Sequence, residues 1–322
     1  MSAVQPKILV IRGGAIGDFI LTLPAIAALR RQFPQAHLEV LGYPHIAKLA
    51  VAGGLADRVQ PIEARGLAGF FARDGVLDPD LVEYFSEFDL VISYLYDPDE
   101  IFKTNVGRCL VKQFIIGPHR PDETAQLHAT QVFLKPLERL AIFDADSVPH
   151  LSFNSQLSTL NQFVFHPGSG SEKKNWPEAK WAGLIQQIAA TTDWHLLLVG
   201  GEAEGDRLQR LAGAMPSARC SIAQGLPLAE LAQRLQSSTV FVGHDSGITH
   251  LAAAVGLPSI VLWADTLEEI WRPQGERLVV LKEMTGVQAI SVEKVMNELR
   301  RLILASTGLG ARAGNGGEKQ AR

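Results

Sequence analysis

The stretch "VIRGGAIGDFILTLPAI", residues 10–26, contains the pattern on which the interpretation of the fold depends. Its apolar start predicts a buried strand, a glycine-containing turn follows, and the remaining residues have the apolar spacing of a helix. Strand, turn and helix in this order are typical of units that bind a phosphate at the helix N-terminus. Asp18 stands at that helix start, however, and its carboxylate would repel a phosphate group. The turn is therefore a poor dinucleotide site, and Asp18 needs another explanation.

The turn has two interpretations. Its glycines, Gly13, Gly14 and Gly17, do not have the G-x-G-x-x-G spacing of a dinucleotide-binding turn. In the first interpretation the turn is simply tight and Asp18 caps the helix, a position that aspartate favours. In the second, the Asp18 carboxylate faces a bound substrate and accepts a proton from it. The spacing of the residues leaves both interpretations open.

The composition is typical of a globular cytoplasmic protein. Hydrophobic residues make up 47% of the 322 residues and charged residues 20%, and no apolar run approaches the roughly 20 residues that cross a bilayer. The N-terminus lacks the features of a secretory signal. A formal net charge of −4, with no basic excess in either half, argues against a nucleic-acid partner. Cys109 and Cys220 have no disulfide or zinc-site spacing, and we expect both thiols to be buried.

Short runs rich in Val, Ile and Leu alternate with helical patterns along the chain, which predicts an α/β fold whose parallel sheets are covered by helices. In the first half, strands are predicted at 7–12, 37–42, 89–93 and 112–117, a helix at about 18–32, and one short helix and one short strand between 44 and 66. In the second half, strands are predicted at 162–168, 194–201, 218–223, 239–247 and 258–265, and helices at about 177–190, 203–213, 227–236, 247–255 and 291–304.

The pattern of strands and helices starts again near residue 160, and the chain is longer than one hydrophobic core usually supports. We therefore predict two doubly wound, Rossmann-like domains, residues 1–155 and 156–305, joined by the polar segment 144–161. Residues 306–322 are rich in glycine and charge, and we expect a disordered tail.

Two turns of the second half combine groups that suit a diphosphate. The stretch "HPGSGSEKKNW" places Ser169, Gly170 and Lys174 between a strand and a helix, and hydroxyl, backbone N–H and ammonium groups all bind phosphate oxygens. The stretch "GHDSGITH" starts a helix with Asp245, Ser246 and Gly247 and has His250 near its first turn, so free N–H groups are expected there. A surface loop and a simple capped helix start are the alternatives.

A third turn of the second half is acidic. Glu202 and Glu204 follow the strand predicted at 194–201. A carboxylate at this place could accept hydrogen bonds from the hydroxyls of a ribose, although exposed glutamates are also common at helix starts.

Several other chemistries do not fit the sequence. "GHDSG" does not place its serine centrally, as the G-x-S-x-G turn of a hydrolase requires, and there is no Walker loop. Three D-x-D strings, at 78–80, 97–99 and 144–146, could in principle hold a metal ion. None of them follows a strand of the second half, so we expect solvated loops and no metal site.

The segments "ILVIRGGAIGDFILTLPAIAALRRQFP", "HPGSGSEKKNWPEAKWAGL" and "GHDSGITHLAAAVGLPSIVLW" together resemble glycosyltransferase family 9, the ADP-heptose:lipopolysaccharide heptosyltransferases and their relatives. The resemblance extends over residues 7–304. It implies a GT-B fold, in which two Rossmann-like domains face each other across a cleft, the acceptor on the N-terminal domain and the nucleotide sugar on the C-terminal domain. It also implies an inverting transfer without metal, and no cofactor besides the nucleotide-sugar donor, for which an ADP-sugar is expected.

The resemblance implies roles for individual residues. It makes Asp18 the general base, beside Gly13, Gly14 and Gly17 on the acceptor side, and Lys174 a contact of the diphosphate. The remaining donor contacts that it implies are Ser169, Gly170, Glu204, Asp245, Ser246, Gly247 and His250.

The segment 94–105, "YLYDPDEIFKTN", departs from the family pattern, because relatives usually have a glutamine-containing turn and a small basic segment there. An acidic loop beside the acceptor puts a strongly anionic glycolipid in doubt. The expected partners are a nucleotide sugar and a saccharide or glycolipid acceptor; contact with the inner membrane and the oligomeric state are left open. A nucleotide-sugar epimerase or hydrolase on the same scaffold, or a binding protein without catalysis, are the alternatives.

Overall fold

A computed structural model describes residues 5–153, 161–201 and 204–306. These residues pack as two compact units. The N-terminal unit contains the residues up to 153 together with Pro227–Gln233 and Thr266–Gly275, and the C-terminal unit contains the other described residues from 161 onward. The predicted tail lies outside the described residues beyond position 306, and residues 154–160 of the predicted linker 144–161 lie outside them too.

The N-terminal unit is built on a five-stranded parallel sheet with the order β3-β2-β1-β4-β5. Its strands are β1 (Lys7–Arg12), β2 (His37–Gly42), β3 (Arg58–Pro61), β4 (Leu90–Ser93) and β5 (Gln113–Ile116). The helices of this half of the chain are α1 (Ile16–Gln32), α2 (Pro44–Ala52), α3 (Pro79–Ser86), α4 (Ile101–Gly107) and α5 (Ala129–Leu134). The strands and the first two helices agree with the predictions. Helices α3 and α4 lie between predicted strands, where helices were expected without stated bounds, whereas α5 follows the last predicted strand of this half and was not predicted.

The second half of the chain forms a six-stranded parallel sheet with the order β11-β10-β9-β6-β7-β8. Its strands are β6 (Gln162–His166), β7 (His195–Gly200), β8 (Cys220–Gln224), β9 (Val240–His244), β10 (Ser259–Leu262) and β11 (Leu278–Leu281). The helices are α6 (Glu178–Thr191), α7 (Arg207–Ala212), α8 (Leu228–Gln236), α9 (Gly247–Ala254), α10 (Glu268–Trp271) and α11 (Val292–Ser306). Strand β11 and helix α10 were not predicted.

One expectation about the thiols was wrong. Cys109 is buried, as predicted, but Cys220 is only half-buried. Cys220 is the first residue of β8, and β8 is an edge strand of its sheet, so part of its surface has no neighbouring strand to cover it.

Helix α1 is more deeply enclosed than its predicted apolar stripe suggests. Besides Leu21, Ile26 and Leu29, the residues Ile20 and Leu23 are also at most 1% exposed, so apolar contacts surround the middle of the helix. Burial on every side explains why the helix continues through Pro24, since tertiary packing outweighs the lost backbone hydrogen bond.

In each sheet, the order in which strands are added reverses at one position. Ligands of parallel α/β sheets bind at such positions. In each sheet the chain first builds outward on one side of the starting strand and then returns to the other side, which leaves β1 beside β4 and β6 beside β9. In parallel α/β sheets a crevice opens at the carboxyl ends of two such strands. Asp18 follows β1, while the motifs with Lys174 and Asp245 follow β6 and β9.

The turn between β1 and α1 requires glycine at one of its positions. Gly14 has a φ of +99°, and a Cβ atom there would lie 2.9 Å from Asp18 Oδ2. At Gly13 the nearest atom to a Cβ would be Leu95 Cδ2, at an ordinary 3.6 Å.

We expect Gly14→Ala to lower the free energy of unfolding by about 1 to 3 kcal/mol, the usual cost of a strained backbone conformation. Gly13→Ala is the matched control, and we expect a change within about 0.5 kcal/mol, as for other substitutions away from tight contacts. Urea denaturation measures both variants. Equal losses of stability would show that the backbone conformation of Gly14 does not constrain the turn.

Candidate active site

Asp18 is the third residue of α1, and its side chain is 34% exposed. Its Oδ2 accepts a hydrogen bond from the backbone N–H of Ala15 at 3.0 Å. Ala15 itself has no side-chain acceptor to return this bond, so the carboxylate alone caps the helix start. Gly17 precedes Asp18 as the second residue of the helix. Asp18 therefore caps α1, and the exposed part of its carboxylate remains accessible to a substrate.

A buried arginine lies behind Asp18. Arg12, the last residue of β1, is 3% exposed, and its Nη2 lies 3.3 Å from the carbonyl oxygen of Asp18 and 3.8 Å from Oδ1. Its Nη1 donates to the carbonyl of His119 at 2.8 Å. Burial lowers the pKa of Arg12 and the nearby Asp18 carboxylate opposes that shift, yet an arginine side chain stays charged in proteins. Sequence reasoning missed Arg12, although a charged residue that ends a buried strand is a usable signal.

In the C-terminal unit, residues 168–176 form a loop between β6 and α6, here called the lysine loop. Gly170 has a φ of +72°, and nothing lies within 4 Å of where its Cβ would be. Ser169 Oγ donates a hydrogen bond to Asn175 Oδ1 at 2.7 Å, and this bond joins the two ends of the loop. Residues Glu172–Lys174 form a short 3-10 turn that presents Lys174.

Lys174 and Asp245, which come from two separate sequence motifs, form an ion pair. Lys174 Nζ lies 2.7 Å from Asp245 Oδ2, and the two side chains are 33% and 9% exposed. Removing this carboxylate from water is costly unless it is paired. The pair therefore holds the ammonium of Lys174 at the carboxyl end of β9.

Two histidines end the neighbouring strands β6 and β9, and sequence reasoning missed both. His244 is fully buried; its Nε2 accepts the backbone N–H of Trp176 at 2.7 Å, and its Nδ1 lies 3.3 Å from the carbonyl of Gly168. His166 Nδ1 lies 3.3 Å from Ser246 Oγ. Burial lowers the pKa of His166 to about 4 and that of His244 to about 3, so both rings are neutral near pH 7. A polar residue at the end of an apolar run is the signal that could have identified them.

The motif after β9 forms the start of α9 as predicted. Ser246 is the N-cap residue, and its Oγ accepts the N–H of Thr249 at 3.4 Å. Gly247 is the first residue of the helix and His250 is buried in its first turn. The helix start therefore brings partial positive charge next to the Lys174–Asp245 pair.

Glu204 lies at the carboxyl end of β7 and is 8% exposed. Its Oε2 accepts the N–H of Gly201 at 2.5 Å, and its Oε1 lies 3.9 Å from His166 Nε2. A Cβ at Gly168 would lie 1.7 Å from Glu204 Oε1, so only glycine fits at the start of the lysine loop. The other candidate of this turn, Glu202, lies outside the described residues.

Arg207 also holds the lysine loop and was not predicted. Its Nη2 lies 2.8 and 2.9 Å from the two carboxylate oxygens of Glu172, and its Nη1 donates to the carbonyl of Pro167 at 3.4 Å. The C-terminal unit thus brings Ser169, Lys174, Glu204, Asp245 and Ser246 to the carboxyl ends of β6, β7 and β9. Asp18 and the three glycines beside it lie in the N-terminal unit.

The D-x-D strings serve the local backbone. Asp78 is the N-cap of α3 and accepts the N–H of Asp80 at 3.0 Å. Asp97 accepts the N–H groups of Phe102 and Lys103 at 3.1 and 3.0 Å, which fixes the start of α4. Within residues 5–153, 161–201 and 204–306, no group of three or more His, Cys, Asp or Glu side chains is placed to hold a metal ion. None of the helices in the described part of the chain combines the length and the apolar character that crossing a bilayer requires.

Three known proteins to which the chain is similar are heptosyltransferases. Lipopolysaccharide heptosyltransferase 1 of Pseudomonas aeruginosa is 26% identical over 296 residues, which cover 81% of this chain and 79% of the relative. Among solved structures, Escherichia coli ADP-heptose lps heptosyltransferase II has a TM-score of 0.76 at 18% identity and covers 94% of this chain and 99% of its own. E. coli heptosyltransferase WaaC with ADP has a TM-score of 0.73 at 18% identity and covers 92% and 99%. This similarity confirms the predicted GT-B type of fold with two Rossmann-like units.

A family model matches more than half of the chain. The model is that of glycosyltransferase family 9 (heptosyltransferase), and it matches residues 135–299, which include the lysine loop, Glu204 and the start of α9. The chain is therefore a glycosyltransferase and belongs to glycosyltransferase family 9.

Proposed function

We propose that this glycosyltransferase transfers a heptose from ADP-heptose to a hydroxyl of a lipopolysaccharide-type saccharide of the bacterial envelope, with inversion at the anomeric carbon and without a metal ion. The observation that carries the proposal is the Lys174–Asp245 pair at the junction of β6 and β9. The names of the relatives, which specify lipopolysaccharide and heptose, support the sugar and the acceptor class. A cytoplasmic location with peripheral contact to the membrane stays a prediction.

The C-terminal unit has the charges that a nucleotide diphosphate needs. The Lys174 ammonium, the N-terminus of α9 and the hydroxyls of Ser169 and Ser246 all lie at the carboxyl ends of β6 and β9. Groups of these kinds bind phosphate oxygens, and the ammonium and the helix N-terminus supply positive charge without a metal ion. Glu204 at the end of the adjacent β7 is suited to accept hydrogen bonds from the ribose hydroxyls.

In the proposed reaction, each of these groups has one step. Asp18 takes the proton of the acceptor hydroxyl, whose oxygen attacks the anomeric carbon on the face opposite to the ADP group. The bond between that carbon and the phosphate oxygen breaks, and ADP leaves with the electron pair. Lys174 and the α9 N-terminus stabilise the negative charge that develops on the leaving phosphate. The new bond forms on the opposite face, and the configuration is inverted.

Two of the three carboxylates of the acidic segment 94–105 have local partners. The Asp97 carboxylate is bound by two backbone N–H groups at the start of α4. Glu100 lies 2.9 Å from Lys103 Nζ. These contacts hold the two carboxylates in place and keep them charged, so we expect the acceptor hydroxyl to be presented with the anionic groups of the lipopolysaccharide away from this segment.

We expect Lys174→Ala to weaken ADP binding by about 1.5 to 3 kcal/mol, or roughly 10- to 150-fold, because a hydrogen bond to a charged phosphate has this strength. Titration calorimetry with ADP measures the affinity. The matched control is Lys173→Ala, since Lys173 is an exposed neighbour, and it should bind ADP as the wild type does. Wild-type affinity in the Lys174 variant would remove this residue from the donor site.

We expect Asp18→Asn to lower turnover by about 10²- to 10⁴-fold, the usual contribution of a general base. Its amide oxygen can still accept the Ala15 N–H, so stability and ADP affinity should stay near wild type. ADP release from ADP-heptose, with lipopolysaccharide from a heptosyltransferase-deficient strain as acceptor, measures the turnover. Normal turnover with a loss of stability would mean that Asp18 only caps α1. ADP release that does not depend on the acceptor would indicate a hydrolase instead.

We expect the same assay to give full wild-type turnover in excess EDTA, because the proposed donor site takes its positive charge from Lys174 and a helix N-terminus. The comparison is made at equal ionic strength, with and without added magnesium. Turnover that disappears with EDTA and returns with magnesium would contradict the metal-independent mechanism.

A further inference from the structure

We infer that His244 is a positioning residue: by binding both ends of the lysine loop it determines where Lys174 stands relative to the donor diphosphate. The inference rests on the proposed function, since it assigns a role within the same donor site. Its structural part, the attachment of the loop, can be tested without any ligand.

The two bonds of His244 define one state of its ring. A backbone N–H only donates, so Nε2, which lies 2.7 Å from Trp176 N, carries no proton. A carbonyl oxygen only accepts, so Nδ1, which lies 3.3 Å from Gly168 O, carries the proton. A neutral imidazole with this tautomer satisfies both partners, and a doubly protonated ring would lose the bond from Trp176. One side chain thus joins the first and last residues of the loop.

The ring of His244 is itself held in place. It is fully buried and lies 5.6 Å from the ring of Trp181 in an edge-on arrangement. The backbone carbonyl of His244 accepts a hydrogen bond from the hydroxyl of Thr249 in α9. The same residue therefore connects the lysine loop to the helix start that carries Ser246.

Lys174 is only two residues from the attachment point at Trp176. The backbone N–H of Lys174 binds the carbonyl of Ser171 at 3.0 Å, and that of Asn175 binds the carbonyl of Glu172 at 3.1 Å. These bonds make the turn compact, so a displacement at Trp176 moves the turn together with the Lys174 side chain. The indole of Trp176 also donates to Ile290 O at 2.9 Å, which keeps this end of the loop in the core.

Three variants separate the two bonds. His244→Phe keeps the ring shape and removes both. The longer side chain in His244→Gln carries an amide that reaches the Nε2 position and keeps the bond to Trp176. The shorter one in His244→Asn reaches only the Nδ1 position and keeps the bond to Gly168. Val240→Ala is the control for general destabilisation, since Val240 is buried in the same strand about 13 Å from His244.

Two measurements are made on each full-length protein: hydrogen exchange of the lysine loop without ligand, and ADP affinity by calorimetry. We expect His244→Phe to raise exchange of the loop amides at least 10-fold and to weaken ADP binding at least 10-fold. His244→Gln should recover most of both properties, and His244→Asn should recover less. Val240→Ala should lower the Tm while ADP affinity stays within 2-fold of wild type.

The results distinguish this inference from the proposed function. Wild-type exchange and affinity in both His244→Gln and His244→Asn, together with a weakened Lys174→Ala, would overturn the inference and keep the donor site. If His244→Phe does not fold, the Gln and Asn variants still decide, and wild-type affinity in His244→Asn, which lacks the bond to Trp176, would contradict a role for that bond. Absence of ADP binding by the wild type would contradict the proposed donor site, while loop exchange would still test the attachment by His244.

Discussion

The placement of β6 directly beside β9 is the constraint on which the proposed donor site depends. Parallel strands that are far apart in sequence meet here with their carboxyl ends at one edge, and the helices that follow them leave on different sides of this junction. The lysine loop and the start of α9 are therefore neighbours although about 70 residues separate Lys174 from Asp245. With a different strand order, the same residues would be present in the chain but would not lie close together.

Charge is balanced within the site before any ligand arrives. The Lys174 ammonium pairs with the carboxylate of Asp245, whose side chain is only 9% exposed. The pair fixes the position of the ammonium, and the negative carboxylate offsets part of its positive charge. An ammonium has three N–H donors, so in the proposed site the Lys174 ammonium would contact Asp245 and a phosphate oxygen together. The N-terminus of α9 adds a positive electrostatic potential. This potential comes from the backbone, so it does not depend on the position of any side chain. The neutral histidines His166 and His244 shape this region without changing its charge.

The sequence was sufficient to predict the alternation of strands and helices, since buried parallel strands are continuous apolar runs and amphipathic helices have a distinct period. Helix α10 and strand β11 were not predicted; each has only four residues, although β11 is an apolar run. Motifs after strands predicted Lys174, Asp245 and Ser246 as site residues, which stays a prediction, but they gave no sign that Lys174 and Asp245 pair. His244 and Arg12 were missed because a single polar residue at a strand end has no periodicity. Their importance depends on backbone partners that only the folded chain brings near.

The central claim is that the C-terminal unit binds the nucleotide at the β6–β9 junction and that the N-terminal turn does not. A crystal structure of the protein with ADP tests this most directly. We expect the diphosphate within hydrogen-bond distance of Lys174 Nζ and of the backbone N–H groups at the start of α9, with the ribose beside Glu204. A diphosphate bound at residues 13–17, next to Asp18, would contradict the claim.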